Sequence, residues 1–284
     1  MPKTKLTPEN YYTPETDREY LSFSVFKNFA TCEARALAEL NGEWQRQESK
    51  ALLVGNYVHS YFEGPEAHQK WLEQKMADGR THAQATMTKG TKNTPPHLRA
   101  EYKMADEMIK ALEKQRAFQQ FYVPGQKEVI VTGELFGRPW KGKIDSLTLE
   151  QNYFFDLKTV DDFTNLFYNP ETRGKENFAV NRGYCTQMAI YQELLRQTFG
   201  KTCFPYMIAV TKQTPPDMEL GKFDPDGPSG ELMAEGLYQI EQRQEHVWAV
   251  MEGKVAPKEC GHCDYCRAHK VLDHFVDVTE IGVD

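Results

Sequence analysis

The chain has 284 residues, 40% of them hydrophobic and 12% aromatic, which is enough for one large core or for one core with a smaller lobe. It has no run of about eighteen apolar residues, which excludes a membrane-spanning helix, and its polar N-terminal stretch is not expected to be a secretory signal. The formal net charge of −7 argues against a protein that mainly coats nucleic acid, yet one basic groove could still bind phosphates. We therefore expect a cytoplasmic protein with no membrane association.

The first half of the chain is predicted to be largely helical. Residues 1–20 are polar with scattered prolines and are expected to form an arm outside a single domain of residues 21–284. Apolar residues at helical spacing predict three helices, at residues 21–40, 51–62 and 98–121. Ser22 or Ser24 is a plausible N-cap of the first. Residues 78–97 are polar and end in two prolines, which predicts a loop or a partly disordered segment.

In the second half, short β-branched and aromatic runs alternate with Gly, Pro and Asn. They predict three consecutive antiparallel strands joined by hairpins, at residues 128–132, 140–149 and 153–159. A helix at 184–199, a strand at 202–210 and a long helix at 231–251 follow, and Pro205 suggests that the strand lies at a sheet edge. Residues 221–230 are expected to form a turn-rich loop. This order predicts an α/β or α+β fold with a central sheet flanked by helices.

Two acidic residues and a lysine on the predicted strands suggest a metal site. Asp156 and Lys158 are two apart, so their side chains share one face of a strand while Leu157 points into the core. A hairpin can bring Asp145 beside Asp156, and the two carboxylates with the intervening carbonyl would suit Mg²⁺ or Mn²⁺. The lysine could orient a water nucleophile or neutralise charge on a phosphate. The alternative is a solvated strand face, although a carboxylate after the apolar run 153–155 needs a partner or a metal.

The order of these residues resembles the core of the PD-(D/E)XK nuclease superfamily. Glu128 is followed by GKID, which ends at Asp145, and then by DLK at residues 156–158. The second acidic position is commonly Glu in that family and is Asp156 here. The spacing between GKID and DLKT fits a single β-hairpin. The resemblance therefore implies a mixed sheet of the restriction-endonuclease-like type.

Two further motifs are similar to one branch of this superfamily, the branch with the RecB nuclease domain, lambda exonuclease and RecE. GNYVH (residues 55–59) resembles its GxxxH helix, and QMAIY (residues 187–191) resembles its QxxxY helix. The likeness is greatest to phage-type RecE-like (exonuclease VIII) exonucleases and covers roughly residues 20–270. The order of five motifs is the specific signal, because each motif alone is weak.

The resemblance implies a role for each matching residue. Asp145 and Asp156 would bind a catalytic Mg²⁺ or Mn²⁺ together with the Leu157 carbonyl, and Lys158 would activate water. These assignments come from the family likeness and not from the spacing.

Five residues outside the two central strands also receive roles or alternatives. Glu128 would help to hold a metal, with Glu134 as its rival, and His59 would be an imidazole ligand unless it is an ordinary hydrogen-bonded helix histidine. Gln187 and Tyr191 would face the active site and the DNA backbone, with core packing as the alternative, which suits Tyr191 better.

Several residues near the predicted site could contact DNA. The candidates are Lys141, Lys143, Arg173, Lys175, Arg182 and Tyr184. For each basic residue, a solvated surface position is the alternative.

Three cysteines in CGHCDYC, Cys260, Cys263 and Cys266, indicate a metal site in a cytosolic protein. The RecB-like branch includes nucleases in which one N-terminal and three C-terminal cysteines hold a [4Fe–4S] cluster, which suggests Cys32 as the fourth ligand. The last spacing is narrower here than in those proteins, so zinc completed by His262 or His269, or three free thiols, remain alternatives. Cys185 and Cys203 are expected in the core.

The resemblance implies an exonuclease that acts on linear double-stranded DNA in the 5′ to 3′ direction. It also implies a homo-oligomeric ring in a bacterial host cell and a single-strand annealing recombinase as partner in phage-type recombination. One alternative is a single-strand or end-trimming nuclease of the CRISPR-associated RecB-like type. Another is a non-enzymatic zinc-binding nucleic-acid module, although the second CxxC pair of a zinc ribbon is missing. A two-carboxylate glycosidase would leave Lys158, His59 and Gln187 without roles.

Overall fold

A five-stranded mixed sheet lies at the centre of the computed structural model, which describes residues 4–46, 48–76, 78–170, 172–272, 275 and 277–280. The strands in those ranges are β1 (Gln126–Leu135), β2 (Arg138–Thr148), β3 (Tyr153–Val160), β4 (Phe167–Asn169), β5 (Gly174–Glu176), β6 (Phe204–Thr211) and β7 (Met218–Lys222). The large sheet has the order β1-β2-β3-β6-β7, and β4 and β5 form a separate hairpin. Among the described strands of this sheet, β3 and β6 pair in parallel and the other neighbours pair antiparallel.

Helices cover both faces of the sheet. In the described part of the chain they are α1 (Pro14–Glu19), α2 (Phe23–Thr31), α3 (Glu33–Leu40), α4 (Lys50–Glu63), α5 (Pro65–Glu73), α6 (His82–Thr86), α7 (Ala100–Glu113), α8 (Phe178–Asn181), α9 (Tyr184–Phe199), α10 (Pro228–Met251) and α11 (Asp264–Ala268). The same part of the chain also contains a π-helical turn (Phe118–Tyr122) and a 3-10 turn (Val278–Glu280). Of the helices described, none has both the length and the apolar character needed to cross a bilayer. The α+β class and the flanked mixed sheet agree with the prediction.

The sheet separates two hydrophobic cores. Residues of α2, α3, α9 and α10 pack on one face, and residues of α4, α7 and the π-helical turn pack on the other. Phe154 belongs to the first core and Phe155 to the second, as the alternation of side chains along a strand requires. The sheet is therefore held between two apolar layers, which makes it a rigid platform for polar groups at the points where its strands diverge.

The predicted first helix is two helices. Cys32 has φ −162° and ψ 107°, an extended conformation that ends α2 and begins α3. Ser22, and not Ser24, caps α2, because its hydroxyl accepts the Val25 N–H at 3.3 Å. The break places the Cys32 thiol at the junction of two helices, so its side chain is free to face another element.

Two other predictions in the first half differ from the structure. The helix expected over 98–121 stops at Glu113 and is followed by the π-helical turn. The segment 78–97, expected to be a loop, contains α6, which begins with a capping box between Thr81 and Gln84. A five-residue helix is too short to show hydrophobic periodicity, which is why composition alone indicated a loop.

The prediction that Pro205 marks a sheet edge is wrong, because β6 lies between β3 and β7. The Phe204 N–H donates to the Asn152 carbonyl on the β3 side at 2.8 Å, so the Pro205 nitrogen faces β7. Pairing with β7 starts only at Tyr206, so the missing N–H falls beyond the end of that ladder. Strand β7, which was not predicted, includes the first two residues of the expected loop 221–230.

The polar residues at the N-terminus pack against the sheet. Lys141 of β2 is 1% exposed, and its ammonium lies 2.6 Å from the Tyr11 carbonyl and 2.9 Å from the Thr16 hydroxyl. Asp17 forms an ion pair with the same ammonium at 2.7 Å. Residues 4–20 are therefore attached to the sheet through polar groups, which hydrophobic patterning could not reveal. The division into an arm and one domain stays a prediction.

Candidate active site and cysteine cluster

The candidate active site lies where β2 and β3 separate. Their pairing ends at Ser146 and Phe155, and the same register continued by one step places Asp145 opposite Asp156. The Asp145 carboxylate accepts the Leu157 N–H at 2.8 Å, replacing the partner that a continued ladder would supply. Since the N–H and C=O of one strand residue point to the same side, the Leu157 carbonyl also faces the gap.

Glu128 brings a third carboxylate to the same region. The β1–β2 register leaves Glu128 opposite Asp145, and its φ of +54° is a left-handed conformation that few non-glycine residues adopt. Glu134 pairs with Pro139 at the far end of β1. The structure therefore brings Glu128, and not its rival Glu134, to the site.

Two lysines accompany these acids. The Lys158 ammonium lies 2.6 Å from Asp156 Oδ2 and 4.5 Å from the centre of the Tyr184 ring. Lys143 forms an ion pair with Glu128. Asp156 is only 3% exposed, and burial raises its pKa to about 6 even though the Lys158 charge acts in the opposite direction.

Asp145 is the most perturbed acid of the group. Burial and the repulsion from the nearby Glu128 carboxylate together raise its pKa to about 7. The His59 ring lies beside it, with Nδ1 3.5 Å from Asp145 Oδ2. Burial lowers the His59 pKa, the Lys158 charge also lowers it, and a hydrogen bond to the Leu157 backbone partly opposes both effects. These shifts favour a neutral imidazole, the form that ligates metals.

The donor set fits a divalent cation. Three carboxylates follow one line across β1, β2 and β3, because Glu128 lies opposite Asp145 and Asp145 lies opposite Asp156. The Leu157 carbonyl and the His59 imidazole lie beside Asp145. Carboxylate and carbonyl oxygens suit Mg²⁺ and Mn²⁺. Burial is the main cause of the raised pKa of both aspartates, and a bound cation would stabilise their charged forms. The predicted metal ligands therefore lie together.

Helix α4 can approach the sheet because of a glycine. A Cβ atom on Gly55 would lie 3.1 Å from the Thr159 hydroxyl of β3. A side chain larger than that of alanine would push α4 away from the strand, and His59 lies one turn later on the same face. The GxxxH pattern thus has a geometric reason, since the glycine permits the contact that brings the histidine to Asp145.

Helix α9 supports the site from the other face of the sheet. Gln187 donates from Nε2 to the Tyr191 hydroxyl at 2.9 Å, and both residues are buried. Tyr191 packs in the core, which was the alternative to a position facing the active site. Burial raises the pKa of its hydroxyl, and the neighbouring Asp156 charge raises it further. Gln187 Oε1 has no hydrogen-bond partner among the described residues. A buried amide oxygen without a donor is uncommon and marks this residue as more than packing.

The predicted DNA contacts divide into two groups. The prediction for Lys141 is wrong, because its ammonium is buried against Asp17 and the N-terminal backbone. Lys143 is largely buried in its pair with Glu128, so it orients that acid instead of facing solvent. The remaining basic candidates are exposed: Arg173 and Lys175 on the β4–β5 hairpin and Arg182 after α8. Tyr184 is half-buried, with its ring over the Lys158 ammonium.

Sequence reasoning missed one basic residue, Lys27, that lies beside Arg182. Lys27 of α2 is exposed and donates to the Arg182 carbonyl at 2.8 Å. Although the side chain is exposed to solvent, partial desolvation of its ammonium lowers its pKa, and the charges of Arg182 and Lys158 lower it further. A cavity of about 510 Å³ opens beside these residues, with Tyr168 of β4 on its opposite wall. No motif pointed to Lys27, since one lysine among the apolar residues of an amphipathic helix carries no signal of its own.

The four predicted cluster cysteines meet at one point. Their sulfur atoms all lie within 4.8 Å of one another: Cys32, Cys260, Cys263 and Cys266. The shorter separations are 3.5 Å for Cys263–Cys266, 3.6 Å for Cys32–Cys266 and 3.8 Å for Cys32–Cys263. Cys185 and Cys203 are buried elsewhere, as predicted.

These separations fit one tetrahedral ion. With Zn–S bonds of about 2.3 Å, the edge of the sulfur tetrahedron is about 3.8 Å. In a [4Fe–4S] cluster each thiolate binds a different iron, so the sulfurs would have to stand farther apart than they do here. Among the described residues, neither His262 nor His269 belongs to the group of ligand atoms that lie within 4.8 Å of one another. The fourth position therefore belongs to Cys32.

The sequence and the structure were compared with known proteins. The family model of a PDDEXK-like domain of unknown function (DUF3799) matches residues 22–269. A solved structure from Eubacterium rectale, described as a "Putative exonuclease", superposes with a TM-score of 0.85 at 33% sequence identity and covers 99% of each chain. No curated protein matches the sequence.

Proposed function

Since the chain belongs to the family of PDDEXK-like domains (DUF3799), we propose that it is a metal-dependent deoxyribonuclease that degrades linear double-stranded DNA from its ends. The observation that carries the proposal is the placement of Glu128, Asp145 and Asp156 on three adjacent strands, with Lys158 paired to Asp156 where β2 and β3 separate. Three acids and a lysine beside an open edge are the groups that phosphodiester hydrolysis with a divalent cation requires. A glycosidase would not need the lysine or the imidazole.

Each residue has a definable task in such a reaction. Asp145 and Asp156 would hold Mg²⁺ or Mn²⁺ together with the Leu157 carbonyl. The bound cation would polarise the phosphate as a Lewis acid and would activate water. Lys158 can donate hydrogen bonds to that water or to a phosphate oxygen, and its neighbours Asp156 and Tyr184 fix its direction.

Glu128 and His59 act at the border of the same site. Lys143 holds the Glu128 carboxylate in place, and the Asp145 carboxylate lies 3.5 Å from the His59 ring. Both side chains can bind a cation directly or through water. Gln187 Oε1, which has no partner among the described residues, can accept a hydrogen bond from a water or from a donor group of the substrate.

The preference for duplex DNA, the 5′ to 3′ direction and the assembly into a ring rest on the resemblance to RecE-like enzymes. A single-strand annealing recombinase as partner has the same support. The name of the Eubacterium rectale neighbour, "Putative exonuclease", supports only the action on DNA ends. The exposed cations Lys27, Arg173, Lys175 and Arg182 on one side of the site would bind the DNA backbone. Their spread favours a polymeric substrate over a small phosphodiester.

The cysteine cluster has a structural task in this proposal. Cys32 lies in the N-terminal third of the chain and the other three ligands near its end, so one zinc ion would join α3 to the C-terminal region. The Lys258 N–H to Glu33 carboxylate bond, at 2.9 Å, already links the same two segments. The ion would stabilise the fold without taking part in hydrolysis.

A substrate panel tests the proposal. The purified protein is incubated with end-labelled linear duplex, single-stranded DNA and closed circular duplex, each with Mg²⁺, with Mn²⁺ and with EDTA. We expect nucleotide release from the linear duplex only when a divalent cation is present, and intact circles. Faster release from single strands would favour the end-trimming alternative, and no release from any DNA would refute the nuclease.

A further inference from the structure

The N-terminal segment (residues 4–20) reaches the edge of the candidate active site. Its attachment point is the buried Lys141 ammonium, which has three acceptors: the Tyr11 carbonyl, the Thr16 hydroxyl and the Asp17 carboxylate. A lysine buried to this extent must satisfy its three donors, so the attachment is specific. At the end of the segment, Leu21 exchanges backbone hydrogen bonds with β2.

This attachment fixes two neighbouring tyrosines in opposite environments. Tyr11 is 5% exposed, whereas Tyr12 is 70% exposed, and their rings meet edge to face at 4.8 Å. The Lys143 ammonium lies 4.6 Å from the centre of the Tyr12 ring and 5.7 Å from that of Tyr11. Lys143 is the lysine paired with Glu128, so Tyr12 borders the acidic site directly.

A large aromatic ring that is mostly exposed and yet held on a buried neighbour and a cation is unusual for a free surface. Such rings bind nucleic acids by stacking on bases, a contact that tolerates any base because every base has an aromatic face. Inside a duplex both faces of a base are covered by its neighbours. A free face exists only in an unpaired nucleotide or at a strand end.

We propose that Tyr12 is a stacking position for an unpaired or terminal nucleobase, so that the N-terminal segment recognises the end of the strand entering the site. The inference rests on the proposed nuclease function and adds a residue that selects the substrate. Tyr12 binds a base and does not take part in the chemistry, whereas Lys143 and Glu128 beside it contact the reacting region. Removal of the ring should therefore weaken substrate binding more than it slows the bound complex.

The test measures KM and kcat on short linear duplexes for the wild type, Tyr12→Ala and Tyr12→Phe. Tyr238→Ala, which removes an exposed tyrosine of α10, is the matched control. We expect Tyr12→Ala to raise KM roughly 5- to 100-fold with a smaller change in kcat. Tyr12→Phe keeps the ring and should raise KM much less than Tyr12→Ala, although it removes the hydroxyl that bonds to Lys143. Tyr238→Ala should stay near the wild type. Thermal unfolding of each variant reports whether it folds.

A second arm identifies the stacked base. Duplexes carry one abasic residue at the first, second or third position from the end of either strand. At one position the lesion should raise the KM of the wild type and leave that of Tyr12→Ala unchanged. The variant already lacks the ring, so removal of the base that stacks on it costs no further binding. If every lesion affects both proteins equally, or if Tyr12→Ala lowers only kcat, the ring merely supports Lys143 and the inference is overturned.

A binding readout separates this inference from the nuclease proposal. A 2-aminopurine base at each end position is bound to Lys158→Ala and to Lys158→Ala/Tyr12→Ala, and its fluorescence is followed. Stacking predicts quenching in the first protein and its loss in the second, whether or not the wild type hydrolyses DNA. A wild type that degrades DNA, together with equal fluorescence in the two proteins, would leave the nuclease intact and refute the stacking position.

Discussion

The Asp145 carboxylate accepts the backbone N–H of Leu157 at 2.8 Å, a bond between a side chain of β2 and the main chain of β3. It forms at the point where the two strands stop pairing. The bond satisfies a buried amide that would otherwise lack a partner, and it turns the Leu157 carbonyl toward the same gap. One interaction thus allows the sheet to open and brings two metal donors together.

The first prediction concerns the stability of the metal-free protein. The folded-state pKa of Asp145 is raised to about 7 from 3.8, so between these values the folded protein binds a proton that the unfolded chain releases. Stability should therefore fall as the pH rises from 4 to 7. Asp145→Asn removes the charge and keeps a carbonyl oxygen for the Leu157 N–H. In EDTA at pH 8 this variant should melt several degrees above the wild type, and at pH 4 the two should melt together.

The control for this comparison is Asp161→Asn, because Asp161 is 72% exposed and its ion pair contributes little. Addition of Mn²⁺ should stabilise the wild type and not Asp145→Asn, since only the wild type keeps the ligand. Equal melting temperatures of wild type and Asp145→Asn at pH 8 without metal would show that the buried charge of Asp145 does not destabilise the folded protein.

The second prediction concerns the approach of α4 to β3. Gly55→Val should lower kcat at least about tenfold, because the side chain would displace α4 and with it His59. Gly55→Ala should be much milder, since only the Thr159 hydroxyl, 3.1 Å away, has to rotate. Thr159→Ala should restore any activity that Gly55→Ala loses. If Gly55→Val is as active as the wild type, the position of His59 does not matter.

The third prediction concerns the cysteine cluster. The purified protein should contain one zinc ion per chain and no iron, measured by elemental analysis and by the absence of visible absorbance. Cys32→Ala should lose the ion and melt several degrees lower, while Cys185→Ala, a buried cysteine outside the cluster, should keep it. A brown protein with four irons per chain would contradict the tetrahedral site.

The fourth prediction concerns the basic surface beside Lys158. Lys27→Ala should weaken the binding of all DNA sequences to a similar degree and reduce the slope of log K against log salt by about one. Lys222→Ala removes a lysine of β7 that is 72% exposed and pairs with Asp224, and it should leave both quantities unchanged. An unchanged salt slope for Lys27→Ala would remove this lysine from the DNA-binding surface.

Much of the site could be predicted from the sequence because its chemistry is local. Asp156, Leu157 and Lys158 are consecutive on one strand, and the hairpin to Asp145 is short, so spacing and a family resemblance were sufficient. Strand β7 escaped prediction because it has only five residues at the exposed edge of the sheet, and its two alternate apolar residues, Met218 and Leu220, are too few to form a pattern.

Long-range polar contacts were beyond the sequence. Lys141 looked like a surface cation, yet it is buried by the backbone of a segment 130 residues earlier in the chain. The same contact brings Tyr12 to the active site. Hydrophobic periodicity carries no information about such pairs, because neither partner belongs to an apolar pattern. Cys32 could be named only through the resemblance, which supplied the N-terminal ligand.

The most direct test of the nuclease proposal compares wild type, Lys158→Ala and Lys222→Ala on end-labelled linear duplex with Mg²⁺ or Mn²⁺. The wild type and Lys222→Ala should release nucleotides at similar rates, and EDTA should stop both. Lys158→Ala should fold normally and lose at least about a hundredfold in rate, because the group beside Asp156 that contacts water or phosphate is gone. Undiminished release by folded Lys158→Ala would place the active site elsewhere and contradict the proposal.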